Sequence, residues 1–222
     1  MSRQFRTGID LLDRQLGGGI PAGSVVALTA PPASQSELLL YELVGRRRTL
    51  YLSAERTADD VRSVLDEQAS DAAGRASDAA GSAGGAAEWH VRETRGDDQI
   101  DRATRLLRSI ADDALVIVDP VDALERSDRR RYRRFLAELR DEMESTGGVA
   151  VLHCLDGRES PPLRDVTEYM ADVVLDLTTE VQQETVRTRL RVPKFRNGAA
   201  PTDVIRLRLT DEVTVDHSRE IA

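Results

Sequence analysis

Residues 7–32 read T-G-I-D-L-L-D-R-Q-L-G-G-G-I-P-A-G-S-V-V-A-L-T-A-P-P. A glycine-rich turn there delivers the chain into an apolar run, Ser24–Thr29, of strand length and strand composition. Working outward, similar runs recur at Thr49–Ser53, Glu88–Arg92, Leu115–Asp119, Val149–His153 and Val173–Leu177. Several are nearly continuous Val, Leu and Ile, the pattern of strands buried on both faces. Helical patterns lie between them. One follows Ser36 and carries Leu38, Leu39, Leu40, Leu43 and Val44. A second starts at Thr57, with Asp59 and Asp60 placed for the positive end of a helix dipole. A third, about Ser127 to Ser145, sets Tyr132, Phe135, Leu136, Leu139 and Met143 at three- and four-residue spacing. Strand and helix in alternation predict an α/β fold with a mostly parallel sheet. Beyond Glu180, Val186, Thr188, Leu190 and Val192 alternate with polar residues. Val204–Leu209, a turn at Thr210–Glu212 and Val213–Val215 follow, so the sheet is expected to end in antiparallel strands.

One segment breaks the pattern. From Ser70 the chain reads S-D-A-A-G-R-A and then S-D-A-A-G-S-A. With a glycine in each repeat and no apolar face, residues 69–87 are expected to be a disordered low-complexity insertion in a single domain spanning residues 1–222.

Composition narrows the function classes. The 222 residues are 40% hydrophobic, enough for a core, and 32% charged, with 39 Asp and Glu against 31 Lys and Arg. The net charge is -8, and Lys194 is the lone lysine, so 30 of the 31 basic residues are arginine. An Arg-rich, lysine-poor acidic chain fits a high-GC, salt-adapted source. No apolar run nears the ~18–20 residues of a membrane span, and the polar start from Met1 to Asp10 lacks a signal peptide's apolar stretch. The single cysteine, Cys154, forms no internal disulfide, and a cytoplasmic location is expected. Three histidines and one cysteine make no metal motif, so no metal site is expected.

The string T-G-I-x-x-L-D-x-x-L-G-G-G-I-P-x-G-S, running from Thr7 to Ser24 and followed by a strand, resembles the start of KaiC-like members of the RecA superfamily of P-loop ATPases. Later landmarks follow in the same order. The segment T-L-Y-L-S-A-E resembles the strand that presents a catalytic carboxylate, which places Glu55 in that role. L-V-I-V-D resembles Walker B, with Asp119 as the residue that orients magnesium. R-V-P-K-F-R-N-G resembles the late strand whose Lys and Arg reach a neighbouring subunit's nucleotide, here Lys194 and Arg196. The resemblance implies a RecA-like three-layer sandwich with a C-terminal antiparallel hairpin, assembled with RecA- or KaiC-like subunits as a homo- or hetero-oligomer.

At the phosphate loop the resemblance fails. Against G-x-x-x-x-G-K-[ST] stand Ala30, Pro31, Pro32, Ala33, Ser34, Gln35, Ser36 and Glu37. The glycines that let backbone N–H groups wrap phosphates, the lysine and the magnesium-binding hydroxyl are all missing. Ser36 for Lys and Glu37 for Ser or Thr change the local charge by two units, and one like-charge pair at ~4 Å costs about 4 kcal/mol at an effective dielectric of ~20. Arg56 replaces the second residue of the family's acidic pair. Glu37, Asp119 and Glu55 are expected to form an acidic hollow. The reading is a pseudo-ATPase with a regulatory or assembly role and no cofactor, ATP and magnesium entering only if a partner rescues the site. The alternatives are an active or partner-activated ATPase and a DNA-binding recombinase paralogue. The basic cluster Arg129, Arg130, Arg131, Arg133 and Arg134 is the candidate nucleic-acid contact, but net charge -8 and neighbouring acids favour a solvated helix face.

Overall fold

A computed structural model describes residues 3–45, 47–77, 88–182, 185–196 and 198–216. The chain opens with β1 (Gln4–Phe5), α1 (Asp10–Gln15) and β2 (Ile20–Pro21), then β3 (Val25–Ala30), α2 (Glu37–Val44), β4 (Thr49–Ser53) and α3 (Ala58–Ser77). It continues with β5 (Trp89–Glu93), α4 (Gln99–Leu107), β6 (Leu115–Asp119), α5 (Asp122–Glu125), α6 (Arg129–Thr146), β7 (Val149–Leu155) and α7 (Arg164–Met170). Four strands close it: β8 (Val173–Gln182), β9 (Thr185–Phe195), β10 (Ile205–Leu209) and β11 (Val213–Val215).

Nine strands form one sheet in the order β11-β10-β9-β8-β3-β7-β6-β4-β5. From β8 to β5 every pairing is parallel, and from β8 to β11 every pairing is antiparallel. The expected α/β sandwich is therefore present, with its antiparallel end. Strand alternation explains the two cores. Val26 and Leu28 of β3, Leu115 and Ile117 of β6, and Val149 and Val151 of β7 face α1, α2 and α3. Val25, Ala27, Val116, Val118, Ala150 and Leu152 face the other way, onto α4, α5, α6 and α7. Both faces are covered, which is why these strands read as continuous apolar runs.

The opening motif is structural. Asp13 is buried and its Oδ1 accepts from both the Thr7 N–H and the Thr7 hydroxyl at 2.8 Å. Gly19 has φ 135°, and a Cβ there would meet the Phe5 carbonyl oxygen at 2.5 Å, so only glycine lets β2 pair with β1. Arg47 donates to the Leu43 carbonyl at 2.7 Å, capping α2 as a cation at a helix C-terminus should; Arg46 lies outside the described residues.

The repeat segment requires a correction. Helix α3 continues to Ser77, so the first part of the stretch 69–87 is helical rather than irregular, while 78–87 lies outside the described residues. Once the amphipathic first turns of α3 dock, each added residue gains a helical hydrogen bond without a new nucleation cost, and one glycine costs only about 1 kcal/mol. Among the described residues no helix is long and apolar enough to cross a membrane.

Candidate functional site

The site lies at the carboxyl ends of β3, β4, β6 and β7. Strand β3 ends at Ala30, and the chain crosses through Pro31–Ser36 into α2. Within this loop the Ser34 N–H and hydroxyl both bond the Pro31 carbonyl, at 3.1 and 2.6 Å. Gln35 has φ 55°, a left-handed conformation at the position where the resemblance calls for glycine.

Ser36 is 2% exposed and its Oγ lies 2.9 Å from His153 Nε2. His153, at 0% exposure, comes from β7, which pairs with β3 and so runs beside the strand that feeds this loop. Its Nδ1 lies 2.6 Å from Asp119 Oδ1. Asp119 ends β6, is 4% exposed, and accepts at Oδ2 from the Tyr51 hydroxyl and from Arg56 Nη2, the latter at 2.7 Å. Arg56 Nη2 also donates to the Tyr51 hydroxyl at 2.9 Å, its Nη1 donates to the Tyr41 hydroxyl, and its guanidinium lies 5.6 Å from the Tyr41 ring centre.

Asp119, His153, Ser36 and Tyr51 are buried, and Arg56 closes the network from its partly exposed edge. Burial alone would raise the Asp119 carboxyl. The hydrogen bond and charge of His153, the Tyr51 bond and the Arg56 charge outweigh it and bring the pKa down to about 2. Asp119 is therefore ionised at neutral pH, and an ionised carboxylate only accepts, so His153 Nδ1 carries a proton toward it. Arg56 shows the converse balance. Burial disfavours its charge, yet Tyr51, Tyr41 and Asp119 together raise its pKa above the ordinary arginine value. Burial, followed by the Asp119 charge, pushes the Tyr51 hydroxyl well above its usual value, so it remains a donor.

The other predicted residues are placed differently. Glu55 is exposed, its carbonyl accepts from Arg95, and no bond joins its carboxylate to Asp119. Glu37 is half-buried in the first turn of α2. The expected hollow of Glu37, Asp119 and Glu55 is not formed; Asp119 faces Arg56 and His153 instead. Among the described residues no three His, Cys, Asp or Glu side chains converge to hold a metal ion. Lys194 donates to the Glu168 and Tyr169 carbonyls at 2.8 and 2.7 Å, and Arg196 to the Tyr169 carbonyl at 2.9 Å. Within the subunit they cap the C-terminus of α7. In the basic cluster, Arg131 pairs with Asp101 at 2.8 Å and Arg134 with Glu138 at 2.9 Å, while Arg129, Arg130 and Arg133 are exposed.

A second network went unread in the sequence. Glu125, fully buried, accepts from Arg164 Nε at 3.1 and 3.0 Å and from the Thr167 hydroxyl, while Arg164 Nη2 reaches Asp122 at 3.1 Å. The local signal was a pair of acids, Asp122 and Glu125, three residues apart in the short helix that follows β6. Cys154, beside it on β7, is buried, and burial pushes its thiol well above the ordinary value, which leaves it unreactive.

Comparison with known proteins agrees with this architecture. A solved KaiC-like protein of the hyperthermophilic archaeon Pyrococcus horikoshii OT3 superposes with TM-score 0.72 at 16% identity, covering 97% of this chain and 100% of that one. At that identity the likeness concerns the fold. A DNA repair protein RadA of Mycolicibacterium smegmatis is 42% identical over 67 residues, and one of Mycobacterium tuberculosis 46% identical over 70. These matches cover 28–29% of this chain and only 14–15% of those proteins' length. A family of unknown function, DUF7125, matches residues 4–222. That match spans nearly the whole chain, and the protein belongs to this family, built on a KaiC-like RecA fold.

Proposed function

We propose that this chain is a KaiC-like pseudo-ATPase, a regulatory or assembly subunit that works through its surfaces with RecA- or KaiC-like partners in signalling or a recombination-type complex. The observation that carries the reading is the occupation of Asp119. In an ATPase of this fold the corresponding carboxylate must be open to magnesium and its water. Here both its oxygens are taken by Arg56, Tyr51 and His153 from within the chain. Arg56 supplies the positive charge that a metal would otherwise bring, and Ser36 offers no cation to a phosphate. Displacing Arg56 would strip the buried Asp119 carboxylate of its arginine and leave it only the Tyr51 and His153 bonds.

Reconstruction tests this. The wild-type protein is expected to show no magnesium-dependent ATP turnover above that of an Asp119→Ala variant. Rebuilding the loop with Ala30→Gly, Ala33→Gly, Gln35→Gly, Ser36→Lys and Glu37→Thr is expected to create magnesium-dependent ATP binding only when Arg56→Glu frees Asp119. Turnover by the wild type that Asp119→Ala abolishes would overturn the proposal.

A further inference from the structure

Away from this site, the antiparallel end of the sheet carries an unusual charge arrangement. Strands β9 and β10 pair with Arg189 directly opposite Arg206 and Thr188 opposite Leu207. Strand alternation then sets Arg187 and Arg189 of β9 and Arg206 and Arg208 of β10 on one face. The intervening Thr188, Leu190, Ile205 and Leu207 are buried on the other. Like charges directly opposite one another weaken a strand pair, so this face is costly to the sheet by itself. Among the described residues two acidic groups accompany the four arginines: Glu180 stands opposite Arg187 and 3.2 Å from Arg189, and Asp216 lines the same cavity; Arg187, Arg206 and Asp216 have contacts within the protein as well. A cavity of about 330 Å³ lies against the two strands and is lined by the four arginines, Thr210 and Asp216. Its size is that of a small-ligand site.

Guanidinium forks match phosphate oxygens in a bidentate way that point charges do not. No aromatic side chain lines the cavity, so it offers no platform for stacking bases. We propose that the β9–β10 face binds an oligophosphate, whose negative charges bridge the opposed arginines. The chemistry is that of linked phosphoryl groups, free or carried by a nucleotide. The site shares no residue with the Ser36–His153–Asp119 network, so this inference stands or falls apart from the preceding one.

The test is titration of the full chain with inorganic tripolyphosphate, read by calorimetry and by the melting temperature. Saturable binding with a raised melting temperature is expected, weakened by about tenfold or more in Arg189→Gln/Arg206→Gln. Ligand-free, that variant should melt within a few degrees of wild type, because it removes a like-charge pair together with the surface Arg189–Glu180 bridge. Arg208→Gln, at an exposed position, is expected to weaken binding by a smaller factor and serves if the double variant misfolds. A parallel titration with ATP separates the sources: binding lost in the arginine variants but kept in Asp119→Ala belongs to this face. Absence of saturable tripolyphosphate binding, or equal binding by the arginine variants, would overturn the proposal. So would a single-stranded oligonucleotide that binds here and is not displaced by tripolyphosphate.

Discussion

Asp119 shows how a single side chain can change meaning without changing identity. Its place at the end of an apolar strand was legible in L-V-I-V-D, and the absence of Lys and glycine from the preceding loop was equally plain. That Arg56 answers Asp119 was not, because the two lie 63 residues apart in sequence and meet only where β4 pairs beside β6. The pKa shift fixes the pH dependence. A carboxyl lowered from 3.8 to about 2 on folding stabilises the native state above its unfolded value, and that stabilisation is lost as the pH falls from about 4 to about 2. Asp119→Asn is therefore expected to destabilise the protein by about 2–3 kcal/mol at neutral pH, the gap closing toward pH 2; urea unfolding across pH measures it. Gln35 offers a prediction of opposite sign. Its left-handed φ of 55° suits glycine, and Gln35→Gly is expected to stabilise the fold by about 0.5–1 kcal/mol in the same assay.

Elements formed where local pattern and long-range packing agree. Helix α6 is the clearest case, since its apolar residues recur at helical spacing and its ends carry recognisable caps. Asp128 accepts from the Arg130 and Arg131 N–H groups at 3.0 Å, and Gly147 closes the helix at φ 70°. Asp128→Ala is expected to cost about 1 kcal/mol in thermal or chemical unfolding, and Asp128→Asn much less. The arginines that follow Asp128 are the face of this capped helix, with Arg131 tied to α4 through Asp101. Helix α3 is where local pattern misled. Glycine at a seven-residue interval reads as a break, yet a helix already nucleated and docked by Val61 and Leu65 runs on to Ser77. The short α4 does carry a local signal, Ile100, Ala103, Leu106 and Leu107 at helical spacing, whereas in α7 Val166 becomes part of a face only against the sheet.

At the scale of the whole molecule, one nine-stranded sheet carries two apolar layers under a surface with net charge -8. Most ion pairs that decorate it join exposed side chains, and such pairs contribute about 0–1 kcal/mol each. Net repulsion then governs the response to salt. The melting temperature is expected to rise from dilute buffer to molar salt as the surface charges are screened. A calorimetric scan showing equal or lower stability in molar salt would contradict this. The Asp119–Arg56 pair, with Asp119 buried, should respond to salt less than the exposed pairs do.

The amino-acid sequence by itself determined the succession of the strands from β3 onward, the helices α2, α3 and α6, the burial of the parallel strands on both faces and the antiparallel ending. It also determined that the loop after β3, Pro31–Ser36, holds neither glycine nor lysine. Each of these is written in periodicity and residue type over a few consecutive positions, which the backbone geometry of strand, helix and turn converts directly into structure. Only the tertiary structure decided what became of that loop. Strand order brings β7 beside β3, so that His153 lies against Ser36 from 117 residues away, and brings β4 beside β6, so that Arg56 closes on Asp119. Which charge meets which in a buried site depends on the pairing of distant strands, and no local pattern carries that information.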